Sequence, residues 1–253
     1  MRVYLINLDR APDRLAHMQA QFSRLNLPFV RVSAIDAKAI TRAELDEFRS
    51  STADAFRPHP WFPAQIGVFL SHKKVWKDIS TRTESHAAVF EDDVHLSNGI
   101  SSALGSTDWI DESVDIVRLE TTMQSMKLDQ TPVAQVGKMK MFTVRSEAWG
   151  SAGYIISREL AARLVAGPSH FYEPVDWLLF HPNSAIAPEV NVFQLDPAPC
   201  VQDQYHPVVN CRHNFDKVTL DQSGLTYRFA RGAKGIVSPL ARRLFGRRKV
   251  PFG

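Results

Sequence analysis

The opening of the chain constrains its fold more than any other stretch. VYLINL, residues 3–8, reads as a buried strand; after a turn carrying Asp9, Arg10 and Pro12, the apolar residues Leu15, Met18, Phe22 and Leu25 recur at helical spacing. Asn26 and Pro28 end that helix, and PFVRVSAI follows as a second strand. A β-α-β unit with connections this short favours parallel strands, with the helix crossing one face of the sheet. The expectation is an α/β domain with a mixed, mainly parallel central sheet.

The alternation continues downstream. Thr41 and Glu44 make a capping box that predicts a short helix carrying Leu45 and Phe48 inward. Residues 49–64, with Pro58, Pro60 and Pro63, read as a long loop. AQIGVFLSHKKVWKDIS has a helical pattern whose buried side carries Ile66, Phe69, Leu70, Trp76 and Ile79, with His72 one turn from Trp76 on a shared face. Strands are expected in AAVF, DIVRLE, KMFTV, AGYIIS and finally NVFQL; helices are expected in SRELAARLVA, opened by Ser157, and in EPVDWLLFH from Pro174. At 253 residues the chain has the size of one domain. Cys200 and Cys211 are too few for a disulfide framework and lack a zinc-type spacing, which fits a reducing cytoplasm. The apolar runs fall short of the roughly 20 residues that span a bilayer, and Asn7 and Asp9 interrupt the first before it could serve as a signal-peptide core.

AAVFEDDVHLS, residues 87–97, carries the chemistry. Its apolar strand ends in Glu91, Asp92 and Asp93, carboxylates that repel one another and resist desolvation. Either water solvates them on a surface loop or a cation neutralises them. In an extended chain Glu91 and Asp93 project to one side, about 6–7 Å apart at Cα, and Asp92 projects to the other. Two oxygen donors so placed suit Mg2+ or Mn2+, whose remaining positions are filled by water and substrate phosphate. The carboxyl end of a strand is also where open α/β sheets take their ligands.

The ordered set VYLINLDRAPDR, IGVFLSHKKVW, AAVFEDDVHLS, DIVRLE, GSAGYIIS, PVDWLLF and VQDQYHP, spread over residues 2–206, resembles glycosyltransferase family 25, the lipooligosaccharide β-galactosyltransferase type. The resemblance implies a GT-A-like nucleotide-sugar-binding domain, a UDP-sugar donor and a D-x-D-like metal motif, which Glu91 to Asp93 matches with Glu in first place. It implies Asp93 as a direct ligand of Mn2+ or Mg2+, Glu91 as a ligand directly or through water, and Asp92 toward the sugar or ribose. A divalent ion there would stabilise the charge of the departing diphosphate. Asn7, Asp9, Arg10 and Arg14 lie where the family's uridine and diphosphate contacts fall; Arg10 and Arg14, one helical turn apart, are placed to face one phosphate. Ser71 and His72 are candidates for the same pocket, His72 being equally a core residue beside Trp76. His206 is a candidate third metal ligand.

An acceptor hydroxyl holds its proton well above neutral pH, so an inverting transfer needs a general base opposite the leaving group. Asp176 is the candidate, at the first turn of a predicted helix and beside an aromatic ring suited to a sugar face; the alternative is an ordinary first-turn carboxylate facing the helix dipole. Asp203 and Glu120 are lesser candidates for base or acceptor binding. The implied reaction moves galactose from UDP-galactose to a terminal sugar of a bacterial lipooligosaccharide or related glycan.

From Gln222 onward there are eight Lys or Arg and no Asp or Glu, and removing those charges from the net +3 leaves −5 for the rest. Residues 1–221 are expected as the transferase domain and 222–253 as a basic tail. In IVSPLARRLFGRRKV, Ile236, Leu240 and Leu244 fall at i, i+4 and i+8 among basic residues, with Pro239 and Gly246 as start and stop signals. That pattern predicts a short interfacial helix on an anionic membrane surface, at the inner face of the cytoplasmic membrane; a disordered solubilising tail is the alternative. Rival readings are a metal-dependent phosphohydrolase and a non-catalytic module binding glycan or nucleic acid. The first lacks a second cluster for another ion, and the others give Glu91 to Asp93 no role.

Overall fold

The computed structural model of the protein describes residues 1–44, 63–167, 173–206 and 246–253. It opens with β1 (Arg2–Asn7), α1 (Pro12–Arg24) and β2 (Val30–Ser33), with the two strands parallel and Tyr4 opposite Val30. Pro12 suits the first position of α1, where a missing N–H costs no hydrogen bond. The helix α2 (Pro63–Ser80) leads to β3 (His86–Glu91), which pairs parallel with the other edge of β1. Then come β4 (Val94–Leu96), α3 (Ile100–Gly105), β5 (Ile116–Arg118), β6 (Glu120–Thr121), β7 (Ser125–Lys127), β8 (Ala134–Val136), β9 (Met139–Thr143) and β10 (Gly153–Ser157). The helix α4 (Arg158–Ala166) starts where Ser157 Oγ accepts the Leu160 N–H at 3.1 Å, the predicted cap. It is followed by α5 (Val175–Phe180), β11 (Val192–Asp196), β12 (Cys200–Gln202) and β13 (Arg247–Lys249).

The main sheet has eight strands in the order β2-β1-β3-β10-β5-β11-β9-β8. It is mixed as expected but not mainly parallel. The pairs β1–β2, β1–β3 and β5–β11 are parallel, whereas β3–β10, β5–β10, β9–β11 and β8–β9 are antiparallel. A parallel neighbour needs a crossover of a dozen or more residues, usually a helix. From β5 through β10 the chain carries strands and no helix, so that half pairs antiparallel.

Alternation along the central strands builds two cores. Tyr4 and Ile6 face one, with Phe69 and Trp76 of α2, Leu160 of α4 and Leu178 of α5. Val3 and Leu5 face the other, with Met18 and Phe22 of α1 and Ile100 of α3. Each such side chain contributes roughly 1.5–3 kcal/mol on burial. Helices on both faces therefore hold β1 and β3 firmly, and their carboxyl ends emerge side by side, with Ile6 opposite Glu91.

NVFQL, which overlaps β11 from Val192, is not the last strand. In a second sheet β12 lies between β4 and β6, and β13 pairs antiparallel with β7. Both pair with distant segments, which a local pattern cannot show. The residues around β13, counted above with the basic tail, are thus built into the fold. Arg247 meets Glu147 at 3.1 Å, Arg248 meets Asp196 at 3.1 Å and lies 4.1 Å over the Phe142 ring, and Val250 is fully buried.

The capping box is present: Thr41 N and Oγ1 each donate to Glu44 Oε2 at 2.7 Å, and Glu44 N donates to Thr41 Oγ1 at 3.3 Å. Pro63 and Ala64, read as loop, begin α2. Leu45, Phe48, the rest of the 49–64 loop, Cys211 and the interfacial segment 236–244 lie outside the described residues. Among the described residues no helix is long and apolar enough to cross a membrane.

Candidate active site

The acidic motif stands where β1 and β3 end. β3 stops at Glu91, and Asp92 and Asp93 form a bend before β4, so strict alternation lapses after the first carboxylate. Asp92 turns toward the start of the chain: its Oδ2 accepts Asn7 Nδ2 at 2.7 Å and its Oδ1 accepts Arg14 at 2.8 Å. The same guanidinium lies 3.6 Å from Asp93 Oδ2. The expectation that Asp92 points away from both its neighbours therefore holds against Glu91 and needs correction for Asp93, since Arg14 bridges the two aspartates. Asn7 acts here through Asp92, with its own Oδ1 taken by Arg31 at 3.0 Å.

Glu91 faces inward. Its Oε1 accepts Ser151 Oγ at 3.0 Å and lies 3.3 Å from His72 Nε2. His72 is the end of a buried relay, because its Nδ1 is 2.8 Å from the Tyr154 hydroxyl, which in turn accepts Trp76 Nε1 at 2.9 Å. Trp76 can only donate, so the arrangement that satisfies every partner has the Tyr154 proton on the His72 Nδ1 side and the imidazole proton on Nε2, aimed at Glu91. His72 thus joins both sequence readings, a core residue that also touches the site.

Glu120 completes the acidic group from β6. Its Oε2 accepts the Ala152 N–H at 2.7 Å, while its Oε1 is buried without a hydrogen-bond partner. Burial, opposed by Arg118 and reinforced by Glu91 and Asp93, pushes the Glu120 carboxyl up to about 8. Burial and the charge of Glu91 push Asp93 up to about 7, against the pull of Arg14. Glu120 is thus buried within reach of the charges of Glu91 and Asp93. Arg118, fully buried on β5, donates to Gln194 Oε1 at 3.1 Å and to the carbonyls of Gly150 at 3.0 Å and Trp149 at 2.7 Å.

Asp176 sits across that same loop. Its Oδ2 accepts the Gly150 N–H at 3.2 Å and its Oδ1 the Trp177 N–H at 2.9 Å. The Gly150 peptide consequently links Arg118 on one side to Asp176 on the other. The Trp149 and Trp177 rings are 5.8 Å apart, and Trp177 stacks on His181 at 3.4 Å, so an aromatic wall stands beside the carboxylate.

Other candidates lie elsewhere. Arg10 precedes α1 and pairs with Asp36 at 2.6 Å, so it does not share a helical face with Arg14. Asp9 is exposed and held by Arg31 and Ser33. Ser71 Oγ donates to Gly67 O at 2.6 Å and accepts the Ile35 N–H at 2.8 Å, a link between α2 and the chain after β2. His206 packs 4.4 Å from the His95 ring and 5.4 Å from Phe252 and does not converge with Glu91 and Asp93 as a third ligand. Asp203 is buried, with its Oδ1 2.6 Å from His95 Nε2.

The donor set fits a hard divalent ion. Mg2+ and Mn2+ take one or two protein carboxylates and complete their shell with water and phosphate. Glu91 and Asp93 offer those oxygens, and Glu120 Oε1 is buried without a hydrogen-bond partner; burial holds the Asp93 and Glu120 carboxyls above their ordinary range.

A family model described as glycosyltransferase family 25 (LPS biosynthesis protein) matches residues 1–179. The chain belongs to glycosyltransferase family 25. The matched part of this family 25 chain contains Asn7, Arg14, Glu91 to Asp93, Arg118, Glu120, Gly150 and Asp176, while Gln202, Asp203 and His206 lie beyond it. Membership implies a nucleotide-sugar donor. The chain is 32% identical, over 81% of its length and 76% of the relative's, to the lacto-N-neotetraose biosynthesis glycosyltransferase LgtB of Neisseria meningitidis serogroup A. It is 27% identical to the lipooligosaccharide biosynthesis protein lic2B of Haemophilus influenzae over 81% and 77%. Procollagen galactosyltransferase 1-A of Xenopus laevis matches 70% of this chain and 30% of its own length at 27% identity. A solved glycosyltransferase involved in glycosylating the major capsid of PBCV-1 covers 80% of this chain and 93% of that one, with a TM-score of 0.38 and 8% identity.

Arg118, Ser151, Gly150 and Gln202 were not singled out by sequence. Arg118 had a readable signal: in DIVRLE two opposite charges, at 118 and 120, fall on the same face of an otherwise apolar strand. Gln202, which donates to Asp93 Oδ1 at 3.3 Å, arrives through β12; it lies within VQDQYHP, where no local pattern singles it out.

Proposed function

We propose that the chain is an inverting, metal-assisted galactosyltransferase of GT-A-like fold that moves galactose from UDP-galactose to a terminal sugar of a bacterial lipooligosaccharide. The observation that carries this reading is the buried acidic group at the ends of β1 and β3, with Glu120 Oε1 left without a partner. Glu91 and Asp93 would hold Mn2+ or Mg2+, which would supply charge neutralisation for the departing diphosphate. Arg14 holds Asp92 and Asp93 in place and adds positive charge on the same side. Asp176 takes the proton from the acceptor hydroxyl as that oxygen attacks the anomeric carbon from the face opposite the nucleotide. Trp149 and Trp177 offer the apolar face on which an acceptor sugar rests beside that base. Galactose is supported by relatives named for lacto-N-neotetraose biosynthesis and procollagen galactosyl transfer. The basic residues after Gln222 that lie outside the described part attach the enzyme to an anionic leaflet where a lipid-linked acceptor is presented.

A thermal-shift panel of UDP-, GDP- and CMP-sugars, with and without Mn2+, tests the donor. Stabilisation by UDP-galactose that requires Mn2+, together with an inverted linkage in the transfer product, is the expected result. The reading fails if no nucleotide sugar stabilises the protein, or if simple phosphoesters release free phosphate in its place.

A further inference from the structure

We propose that His17, His95 and Asp203 form a binding site for a borderline transition-metal ion of the Zn2+ class, separate from the acidic site. One ring nitrogen from each histidine and one carboxylate oxygen of Asp203 lie within 4.8 Å of one another. They come from α1, from β4 and from the 3-10 turn Asp203–Tyr205, segments that local sequence does not connect. The histidine rings meet edge to face with centroids 5.1 Å apart. His95 Nε2 is 2.6 Å from Asp203 Oδ1, yet it is shut off from solvent and makes no hydrogen bond.

The ligand chemistry separates this site from the other. Two imidazoles and one carboxylate are the donor set of open three-ligand zinc sites and of 2-His-1-carboxylate centres. The all-oxygen set of Glu91 and Asp93 suits Mg2+ or Mn2+. Outer contacts hold the His17 ring: its Nε2 lies 2.9 Å from Gln21 Nε2 and 3.2 Å from Val94 O, and Gln21 Oε1 accepts the Leu96 N–H at 2.7 Å. The Asp203 N–H donates to Asp93 O at 2.9 Å, so an ion here would tie α1 to the segment that follows the acidic motif. Its role is structural, bracing that segment from behind.

The test does not depend on the transferase reading. Protein stripped with a chelator, and shown by circular dichroism to be folded, is titrated with Zn2+ and with Co2+; bound metal is then counted by mass spectrometry after dialysis. About one Zn2+ per chain, a raised melting temperature and a Co2+ ligand-field spectrum are expected. His95→Leu and His17→Gln should each lose that ion, and Asp93→Asn should keep it. Should His95→Leu fail to fold, His17→Gln, at a half-exposed helix position, carries the comparison. Wild-type protein that retains no Zn2+, retention in the histidine variants, or loss in Asp93→Asn overturns the proposal.

Discussion

His72 Nε2 and Glu91 Oε1 lie 3.3 Å apart, and that contact fastens the acidic site to the centre of the buried core. Behind it the Tyr154 hydroxyl serves both His72 and Trp76. Tyr154→Phe strips Trp76 Nε1 and His72 Nδ1 of their shared partner in a region closed to water. A loss of about 1–3 kcal/mol is expected, read as a lower urea midpoint at unchanged slope.

Asp93→Asn separates stability from activity. The substitution removes a buried charge that Glu91 opposes, so the metal-free protein should melt higher at mildly alkaline pH. Transfer should fall by about 100-fold or more, as when one preorganised electrostatic contact is deleted. Melting curves and initial rates on the same preparation check both signs.

The raised carboxyls set a pH dependence. Asp93 moves from 3.8 to about 7 and Glu120 from 4.5 to about 8 in the folded chain. Below the unfolded values both states are protonated and the contribution is complete. As pH rises from about 4 to about 8, the unfolded chain releases these protons first and the folded state loses stability. Metal-free protein should therefore melt progressively lower across that window, and saturating Mn2+ should flatten the decline.

Gly150→Ala strikes the loop that links Arg118 to Asp176. Gly150 has φ +86°, and an added Cβ would sit 2.5 Å from Glu120 Oε1 and 2.8 Å from Oε2. The backbone conformation alone costs a side chain about 1–2 kcal/mol. The collision adds to that and displaces the peptide that donates to Asp176. A drop in melting temperature together with lower kcat is expected.

Much of this architecture can be read from local pattern, and the limits have a physical source. The apolar strands VYLINL and AAVF, the Thr41–Glu44 box and the Ser157 cap each depend on residues within a few positions, and each is present in the structure. The triplet at Glu91 is likewise visible in sequence. Its partners are not: Glu120 reaches it from β6, Gln202 from β12 and Ser151 from the loop before β10. Direction fails in the same way, since β10 runs antiparallel between β3 and β5 for want of a crossover helix, which no strand pattern reports. Arg10 shows the smallest of these failures, a helix start two residues later than the spacing suggested.

The pairing of β13 with β7 also bears on how the protein is made. Arg247 donates to Ser125 O across 122 residues, and Thr121 Oγ1 waits for the carbonyl of Val250 across 129. On the ribosome, the residue next to Glu120 therefore remains without this partner, and the edge of β7 stays unpaired, until the whole intervening chain has been translated. Closure over so long a loop is entropically costly and slow. The nascent protein thus carries a nearly finished active site with an open seam beside it, and it is sealed only after the basic segment has left the exit tunnel.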